Sequence, residues 1–257
     1  MIVFPAFVLG PVLAGFLIDV IGTIRVFVLI STLFTFAFFI SLLMNHPPRE
    51  KEIRLQSLDI RSLTDIIDTL KNDPILIWLL IITIVDNLFI MGPAIVGVAI
   101  LVKDVFGGSA TDWALSETFL SLGMIVTSLI LIKWGKKIPL GAMLIFGIIM
   151  DGLTYIPVKW AGSVKALWGI IFFHALFIPL IIVGRTTIVQ KRVPHNLQGR
   201  FFSLIAISVV GLTAISTALT GLVTEYIPVE DLFVYIGLLA AATGGAALFY
   251  KPLRHLN

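Results

Sequence analysis

The sequence predicts an all-α membrane protein, a bundle of about eight transmembrane helices, and three observations carry this prediction. Apolar residues make up 58% of the 257 positions and charged residues only 13%, whereas soluble domains carry about 25% charged residues. The apolar residues fall in runs close to the ~20 residues that a helix needs to cross a bilayer. These runs do not alternate as the strands of a membrane β-barrel do, so helices are the predicted spanning elements.

Charged residues and Pro or Gly breaks separate the apolar runs from one another. Because the number of predicted spans is even, both chain ends are expected on the same side of the membrane. The eight predicted spans cover approximately residues 2–18, 24–44, 74–102, 112–132, 138–157, 166–184, 201–224 and 232–250.

Lys and Arg are distributed unequally between the loops on the two sides of these spans. One side holds only Arg25, Lys103, Lys159 and Lys165, which leaves 14 of the 18 basic residues on the other side. Cytoplasmic loops retain positive charge. The pattern therefore predicts that the basic loops and both termini are cytoplasmic.

The longest polar stretch, residues 45–73, is the predicted linker between residues 1–44 and residues 74–257. Pro47 and Pro48 end the preceding helix and fix an extended exit. Further along, apolar residues recur at helical spacing with charged residues between them, which predicts an amphipathic helix. This helix either lies on the membrane surface or packs on neighbouring loops, and the pattern leaves both open. Its apolar residues are Ile60, Leu63, Ile66, Ile67 and Leu70.

Three predicted spans are interrupted by Pro and Gly. Transporters concentrate such breaks near their binding sites, although each one is also compatible with simple packing or kinking. The seventh and eighth spans are in addition rich in small residues, which predicts close helix packing. The interruptions are Gly10, Pro11 and Gly15 in the first span, Gly92 and Pro93 in the third, and Pro179 and Gly184 in the sixth.

Ionisable residues inside the predicted spans are the candidate functional groups. Each costs roughly 2.5–3.5 kcal/mol at the centre of a span and therefore faces protein or a water-filled cavity. Asp86 lies about 18 Å into the third span, close to the midplane. Such groups either exchange protons and orient substrate or hold helices together by hydrogen bonds. The predicted substrate and proton-coupling residues are Asp86, Asn87, Glu117, Asp151 and His174. Arg185, at the end of its predicted span, is expected to act as a snorkelling anchor.

Other classes of function are disfavoured by the residue inventory. The chain has no cysteine, so disulfides and thiolate metal sites are excluded, and no metal or cofactor is predicted. An intramembrane aspartyl protease is conceivable from two buried aspartates, but no G-x-G-D, H-E-x-x-H or G-x-S-x-G sequence occurs and the protein is not predicted to be an enzyme. Nucleic-acid binding is disfavoured because the net charge of +3 is explained by membrane orientation.

Three motifs resemble those of a known family, the major facilitator superfamily, and more narrowly its bacterial macrolide-efflux and enterobactin-exporter-like branch. Residues 10–15, followed by Asp19, are similar to the G-P-x-x-G-G signature of the fifth helix in exporters, with Ala14 in place of one glycine. Residues 193–200, with Pro194, Gly199 and Arg200, resemble the V-P-x-x-x-x-G-R turn between helices ten and eleven. Residues 133–137 resemble a basic loop motif that has lost its aspartate.

The resemblance implies that the eight spans correspond to helices five to twelve of a twelve-helix transporter. Residues 1–44 would be the last two helices of the N-terminal half, and residues 74–257 the six-helix C-terminal half. The implied function is proton-coupled efflux of a hydrophobic or amphipathic small molecule, such as a drug, macrolide or siderophore-like compound, across the bacterial cell membrane by alternating access. The expected partners are the bilayer, the small molecule, the proton and the first four helices of a longer chain. Because those helices are absent from the sequence, a non-transporting fragment or a helical membrane interaction protein is the alternative.

Overall fold

The computed structural model describes residues 3–43 and 60–256, which are helical and contain no strand. Several helices are extended by short π-helical or 3-10 turns, at Pro93–Gly97, Leu101–Val105, Gly135–Lys137, Ile156–Trp160 and Ile207–Gly211. The helices are α1 (Val3–Ile21), α2 (Thr23–Leu43), α3 (Ile60–Asn72), α4 (Pro74–Gly92), α5 (Ala110–Trp134), α6 (Leu140–Leu153), α7 (Val164–Ala175), α8 (Ile178–Arg192), α9 (His195–Ala206), α10 (Leu212–Val223), α11 (Val229–Leu248) and α12 (Lys251–Arg254).

Seven continuous helical segments of the described chain are long and apolar enough to cross a membrane. They coincide with the second to eighth predicted spans, with α7 and α8 forming one segment and α9 and α10 another. The first predicted span corresponds to α1, and the part of α1 with described side chains, Gly10–Ile21, is a shorter apolar helix. The predicted all-α membrane bundle is therefore confirmed, and the chain is a multi-pass membrane protein.

Two apolar cores occupy opposite ends of the bundle formed from α4 to α12. One contains Leu76, Ile148 and Phe201, and the other contains Leu101 and Phe233. Helix α4 runs through both, with its first half in one core and its continuation to Val105 in the other. The polar residues of α4 therefore lie between the two cores, in the middle of the bundle.

Close approach between helix backbones explains several of the small residues. A Cβ added at Gly152 would lie 2.4 Å from the Ala241 amide nitrogen, so α6 and α11 pack backbone to backbone. A Cβ at Gly244 would meet the side chain of Ile149 at 2.7 Å. Gly245, in contrast, has nothing within 4 Å of such a position. The small residues of the eighth span thus form one packed face, and the opposite face is open.

Among the described residues, helix α1 makes the main contact of α1 and α2 with the bundle. A Cβ added at Gly15 would lie 2.6 Å from the Ala114 Cβ, so α1 packs tightly on α5. The Asp19 carboxylate also accepts hydrogen bonds from the amides of Ala110 (3.2 Å) and Thr111 (2.9 Å). An acidic group there satisfies free amides and interacts favourably with the helix dipole of α5. Helix α2 buries only Val26 among its residues.

The predicted amphipathic helix is present as α3, which contacts α4 and α9. Ile66 is buried and Leu70 packs against the first core, whereas Ile67 remains exposed. Asp73 then accepts from the Ile75 amide at 3.1 Å and begins α4. The proline exit at residues 46–49 and the side chains of Ile60 and Leu63 lie outside the described residues. The described contacts favour packing on neighbouring helices for Ile66 and Leu70.

Candidate functional site

A cavity of about 350 Å³ lies in the middle of the bundle between α4, α5, α6, α7 and α8. All five predicted site residues line it, although they come from four different helices. Apolar side chains such as Ile90, Met124 and Ile181 form most of the remaining wall. A second, wider groove runs along α2, and no ionisable side chain lines it. The polar residues that line the central cavity are Asp86, Asn87, Glu117, Asp151, Tyr155, His174 and Arg185.

Asp86 is buried on α4 and faces this cavity, with 5% of the residue exposed. Its Oδ1 atom has no hydrogen-bond partner among the described residues, and neither has the Thr83 hydroxyl one turn earlier. The neighbouring Asn87 side chain donates to the Thr83 carbonyl at 2.7 Å. An unsatisfied buried carboxylate oxygen requires an explanation, and a proton, a water or a ligand in the cavity would supply one.

Arg185 is a cation that interacts electrostatically with Asp86, and both residues line the cavity. Sequence reasoning assigned Arg185 to the membrane interface, and that assignment was wrong. The helix does not end at Gly184 as predicted but continues to Arg192. Arg185 therefore lies about 10 Å inside the end of α8, where its half-buried side chain forms part of the cavity wall.

A second polar cluster joins α6 to α7 on another wall of the cavity. The Nε2 atom of His174 lies 3.5 Å from Asp151 Oδ1, and its Nδ1 atom lies 2.9 Å from the Thr154 hydroxyl oxygen. The imidazole ring packs against Tyr155, with 3.9 Å between ring centroids. Asp151, Thr154 and His174 are all buried. Sequence reasoning identified Asp151 and His174 separately but did not find Thr154 or Tyr155.

Glu117 is the acidic residue of α5 at the cavity, and it is half-buried. Leu120 and Met124, one and two turns further along the same face, also line the cavity. This wall therefore presents one carboxyl group beside a continuous apolar surface. The arrangement suits a ligand with both an apolar body and a polar group.

The predicted interruption at Gly92 and Pro93 lies about 9 Å along α4 from Asp86. Here Ser216 of α10 inserts into the hydrogen-bond ladder of α4: its hydroxyl accepts from the Gly92 amide and donates to the Leu88 carbonyl, both at 2.7 Å. A π-helical turn follows at Pro93–Gly97. An inserted side chain and a proline both weaken a helix locally. Ser216 was one of many small residues in the sequence, and no local signal distinguished it.

The other motif residues lie away from the cavity. Gly10 is exposed and Pro11 half-buried on α1. Pro194 begins α9 after a turn in which the Gln198 side chain donates to the carbonyls of Gln190 (2.9 Å) and Val193 (3.1 Å). None of the motif residues Gly10, Pro11, Gly15, Gly92, Pro93, Pro194, Gly199 and Arg200 lines the cavity. Their structural role remains a prediction.

Metal binding was not predicted from the sequence. Within residues 3–43 and 60–256, no group of three or more His, Asp or Glu side chains is placed to hold a metal ion. The acidic residues of the cavity are spread over separate helices. A paired carboxyl and imidazole and an unsatisfied carboxyl suit proton binding and polar recognition.

The bundle and its central polar cavity define a multi-pass α-helical membrane protein with an internal site. The chain belongs to the Major Facilitator Superfamily, whose family model matches residues 3–217. No curated protein matches the sequence.

Two solved structures share the fold. A POT family transporter in complex with a thioalcohol conjugated peptide is 16% identical, with a TM-score of 0.58, and the alignment covers 93% of this chain and 53% of that one. A POT family transporter in complex with 5-aminolevulinic acid is 18% identical, with a TM-score of 0.50 and the same coverage of 93% and 53%. The chain therefore spans about half the length of these transporters.

Proposed function

We propose that the protein is a secondary transporter that couples proton movement to the export of a hydrophobic or amphipathic small molecule, such as a drug, macrolide or siderophore-like compound. The convergence of Asp86, Glu117, Asp151, His174 and Arg185 on one cavity carries this proposal. Charged groups are expensive inside a membrane and mark substrate and proton pathways. Five of them around one cavity define a pathway better than any one of them alone.

The composition of the cavity supports the class of substrate. A volume of about 350 Å³ falls in the ~300–1,000 Å³ range of small-molecule sites. The wall is mainly apolar, with Ile90, Met124 and Ile181 among its residues, and the polar groups are few. Such a wall holds an apolar body while one or two charges orient it. The POT family transporters of similar fold hold a peptide conjugate and 5-aminolevulinic acid, which are also small molecules.

Proton coupling follows from the environment of Asp86. A buried carboxylate is stable when a cation such as Arg185 pairs with it, or when it is protonated. A substrate that enters the cavity disturbs this interaction, so occupancy of the cavity and protonation of Asp86 are linked. Alternating access would expose the cavity to each side of the membrane in turn. Export rather than uptake rests on the resemblance of residues 10–15 to an exporter signature, and a cytoplasmic position of both termini in the cell membrane rests on the basic loops.

The proposal is tested in everted membrane vesicles by measuring the proton flux that a macrolide or a fluorescent dye induces. Asp86→Asn removes the charge at nearly constant volume, and we expect it to lower the flux at least ~100-fold, because an amide at this position can neither take up nor release the proton. Asp104→Asn is the matched control, since Asp104 is exposed beyond the same helix, and it should leave the flux unchanged.

The chain is assayed both alone and within an upstream-extended form. Flux in either form that is lost in Asp86→Asn supports the proposal. Absence of induced flux from both forms, with the protein present and folded in the membrane, would overturn it and favour a non-transporting membrane interaction protein.

A further inference from the structure

The cluster of Asp151, Thr154 and His174 determines where hydrogen atoms lie on the imidazole ring. Asp151, Thr154 and His174 are 4%, 3% and 1% exposed, so water does not compete freely for their polar atoms. Nδ1 of His174 faces the Thr154 hydroxyl at 2.9 Å, Nε2 faces Asp151 Oδ1 at 3.5 Å, and the Asp151 backbone carbonyl is a further acceptor for the ring. The hydrogens on the ring nitrogens therefore depend on what these oxygens donate or accept.

The Thr154 hydroxyl has one hydrogen, and it donates this hydrogen in a hydrogen bond to the Met150 carbonyl oxygen. The Thr154 oxygen lies 2.5 Å from that carbonyl oxygen, which only accepts hydrogen bonds. Threonine side chains in helices commonly donate to the carbonyl four residues earlier, as here. Towards Nδ1 of His174, the hydroxyl thus presents a lone pair. Nδ1 must then carry a hydrogen and donate it.

The hydrogen on Nδ1 determines the state of the other ring nitrogen, Nε2. With a hydrogen on Nδ1, the neutral imidazole has a lone pair on Nε2, and this lone pair points toward Asp151 Oδ1. An ionised Asp151 would place two acceptors opposite each other in a buried site, which is unfavourable. One additional proton removes the conflict, whether it resides on Oδ1 as a carboxylic acid or on Nε2 as an imidazolium paired with a carboxylate.

We propose that Asp151 and His174 hold one exchangeable proton as a unit, and that Thr154 is the positioning residue that creates this unit by fixing the hydrogen of His174 on Nδ1. The two protonated forms differ only in the position of one proton between two atoms. Such a pair titrates as a unit and not as two separate residues.

Charged and titratable groups face the pair from the helices around it. Asp86 of α4 interacts electrostatically with Asp151, and Arg185 of α8 interacts with Asp86. Glu117 of α5 lines the same cavity, and Tyr155, two residues after the end of α6, covers the imidazole ring. On α11, the apolar Phe233 packs behind Tyr155. The proton of the pair is therefore linked to the charges of Asp86 and Arg185, and this link is the one step that rests on the proposed function.

The test is NMR in liposomes of protein labelled with nitrogen-15 at histidine and carbon-13 at the aspartate carboxyl groups, with the His174 signals assigned by their loss in His174→Gln and the Asp151 signal by its loss in Asp151→Asn. We expect a protonated Nδ1 throughout the range in which the pair holds its proton, and an Nε2 signal that changes in step with the Asp151 carboxyl signal. An unprotonated Nδ1 in the native chain would overturn the proposal without any variant.

Two variants separate the hydroxyl from the shape of Thr154. Thr154→Val keeps the shape and removes the acceptor, so we expect the tautomer with hydrogen on Nε2 to gain roughly tenfold in population, the value of one hydrogen bond. Thr154→Ser keeps the hydroxyl and should restore the native signals. Unchanged tautomer populations in a folded Thr154→Val would contradict the role of Thr154; if that variant does not fold, the native chain and Thr154→Ser still report the state of Nδ1.

Substrate-induced proton flux is measured in the same liposomes. A protonated Nδ1 without proton flux from either the chain alone or the upstream-extended form supports the pair and overturns the proposed function. Proton flux through a chain with an unprotonated Nδ1 overturns the pair and supports the proposed function.

Discussion

Helix α2 and the long segment Pro74–Val105 are both apolar enough to cross a membrane, yet they are used differently. In Pro74–Val105, 56% of the apolar stretch is buried against other helices, and in α2 only 6%. Pro74–Val105 runs through both cores and carries Asp86. Helix α2 directs large aromatic side chains, including Phe34 and Phe36, away from the other described helices.

Hydropathy therefore identifies which helices lie in lipid, whereas packing decides whether such a helix contributes to the core of the bundle. In lipid, apolar side chains gain little from leaving the solvent, so helices associate through close contact and hydrogen bonds. Pro74–Val105 has both, through Gly92 and through the inserted Ser216. α2 has only a limited contact with α1. The predictions below test this contrast, from the largest expected effect to the smallest.

Truncation of a core aromatic should cost far more than truncation of an outward one. Phe233 is fully buried and packs on Tyr155 with ring centroids 5.3 Å apart. We expect Phe233→Ala to lower the free energy of unfolding by about 3 kcal/mol, the low end for this substitution, because in lipid the cavity left behind dominates the cost. Phe34→Ala, at a position that is 71% exposed, should change it by less than about 0.5 kcal/mol. Unfolding in bicelles measures both; equal losses would refute the contrast.

A methyl group at the contact between α4 and α10 should have the next largest effect. A Cβ at Gly92 would lie 2.2 Å from the Ser216 carbonyl oxygen, which is backbone and cannot rotate away. Gly92→Ala must therefore separate α4 from α10, and we expect a loss of about 2 kcal/mol in the same unfolding measurement. Gly10→Ala is the control, because nothing lies within 4 Å of its Cβ position. A neutral Gly92→Ala would show that the contact is looser than the structure has it.

Loosening α1 from the bundle should have the smallest effect. Asp19→Ala removes the acceptor of the Ala110 and Thr111 amides. Loss of a helix cap lowers the stability of the helix by about 1 kcal/mol. Hydrogen exchange at the start of α5 should accelerate roughly fivefold, while the rest of the bundle keeps its protection. Asp19→Asn should preserve the cap. Acceleration across all of α4 to α11 would instead mean that α1 supports the whole bundle.

Much of the fold followed from local sequence because length and apolar content are properties of a single segment. The predicted third span, 74–102, agrees with Pro74–Val105 to within a few residues at its C-terminal end. The sixth predicted span ended too early, at residue 184, because a charged residue such as Arg185 is typical of the end of a span. Intramembrane Arg is costly unless protein surrounds it, and nothing local shows that a cavity does so. The assignment of Arg185 failed for that reason.

The candidate site was predictable as a set of residues but not as an arrangement. Asp86, Glu117, Asp151 and His174 stood out because each is polar in an apolar run. Thr154 and Ser216 did not stand out, since hydroxyl residues satisfy themselves within a helix and are common in spans. Their importance comes from neighbours: Thr154 contacts His174 twenty positions away, and Ser216 reaches Gly92 across 124 positions.

By itself, the sequence determined that this protein crosses the membrane as helices, which segments do so, and which polar residues lie among them. These outcomes follow from the free energy of placing each segment in lipid, and that quantity is a sum over the residues of the segment. The tertiary structure alone decided that the polar residues converge on one cavity, that Arg185 lines it together with Asp86, and that the His174 ring lies between Asp151 and Thr154. Those outcomes depend on which helix faces meet, and short-range contacts between distant segments set them.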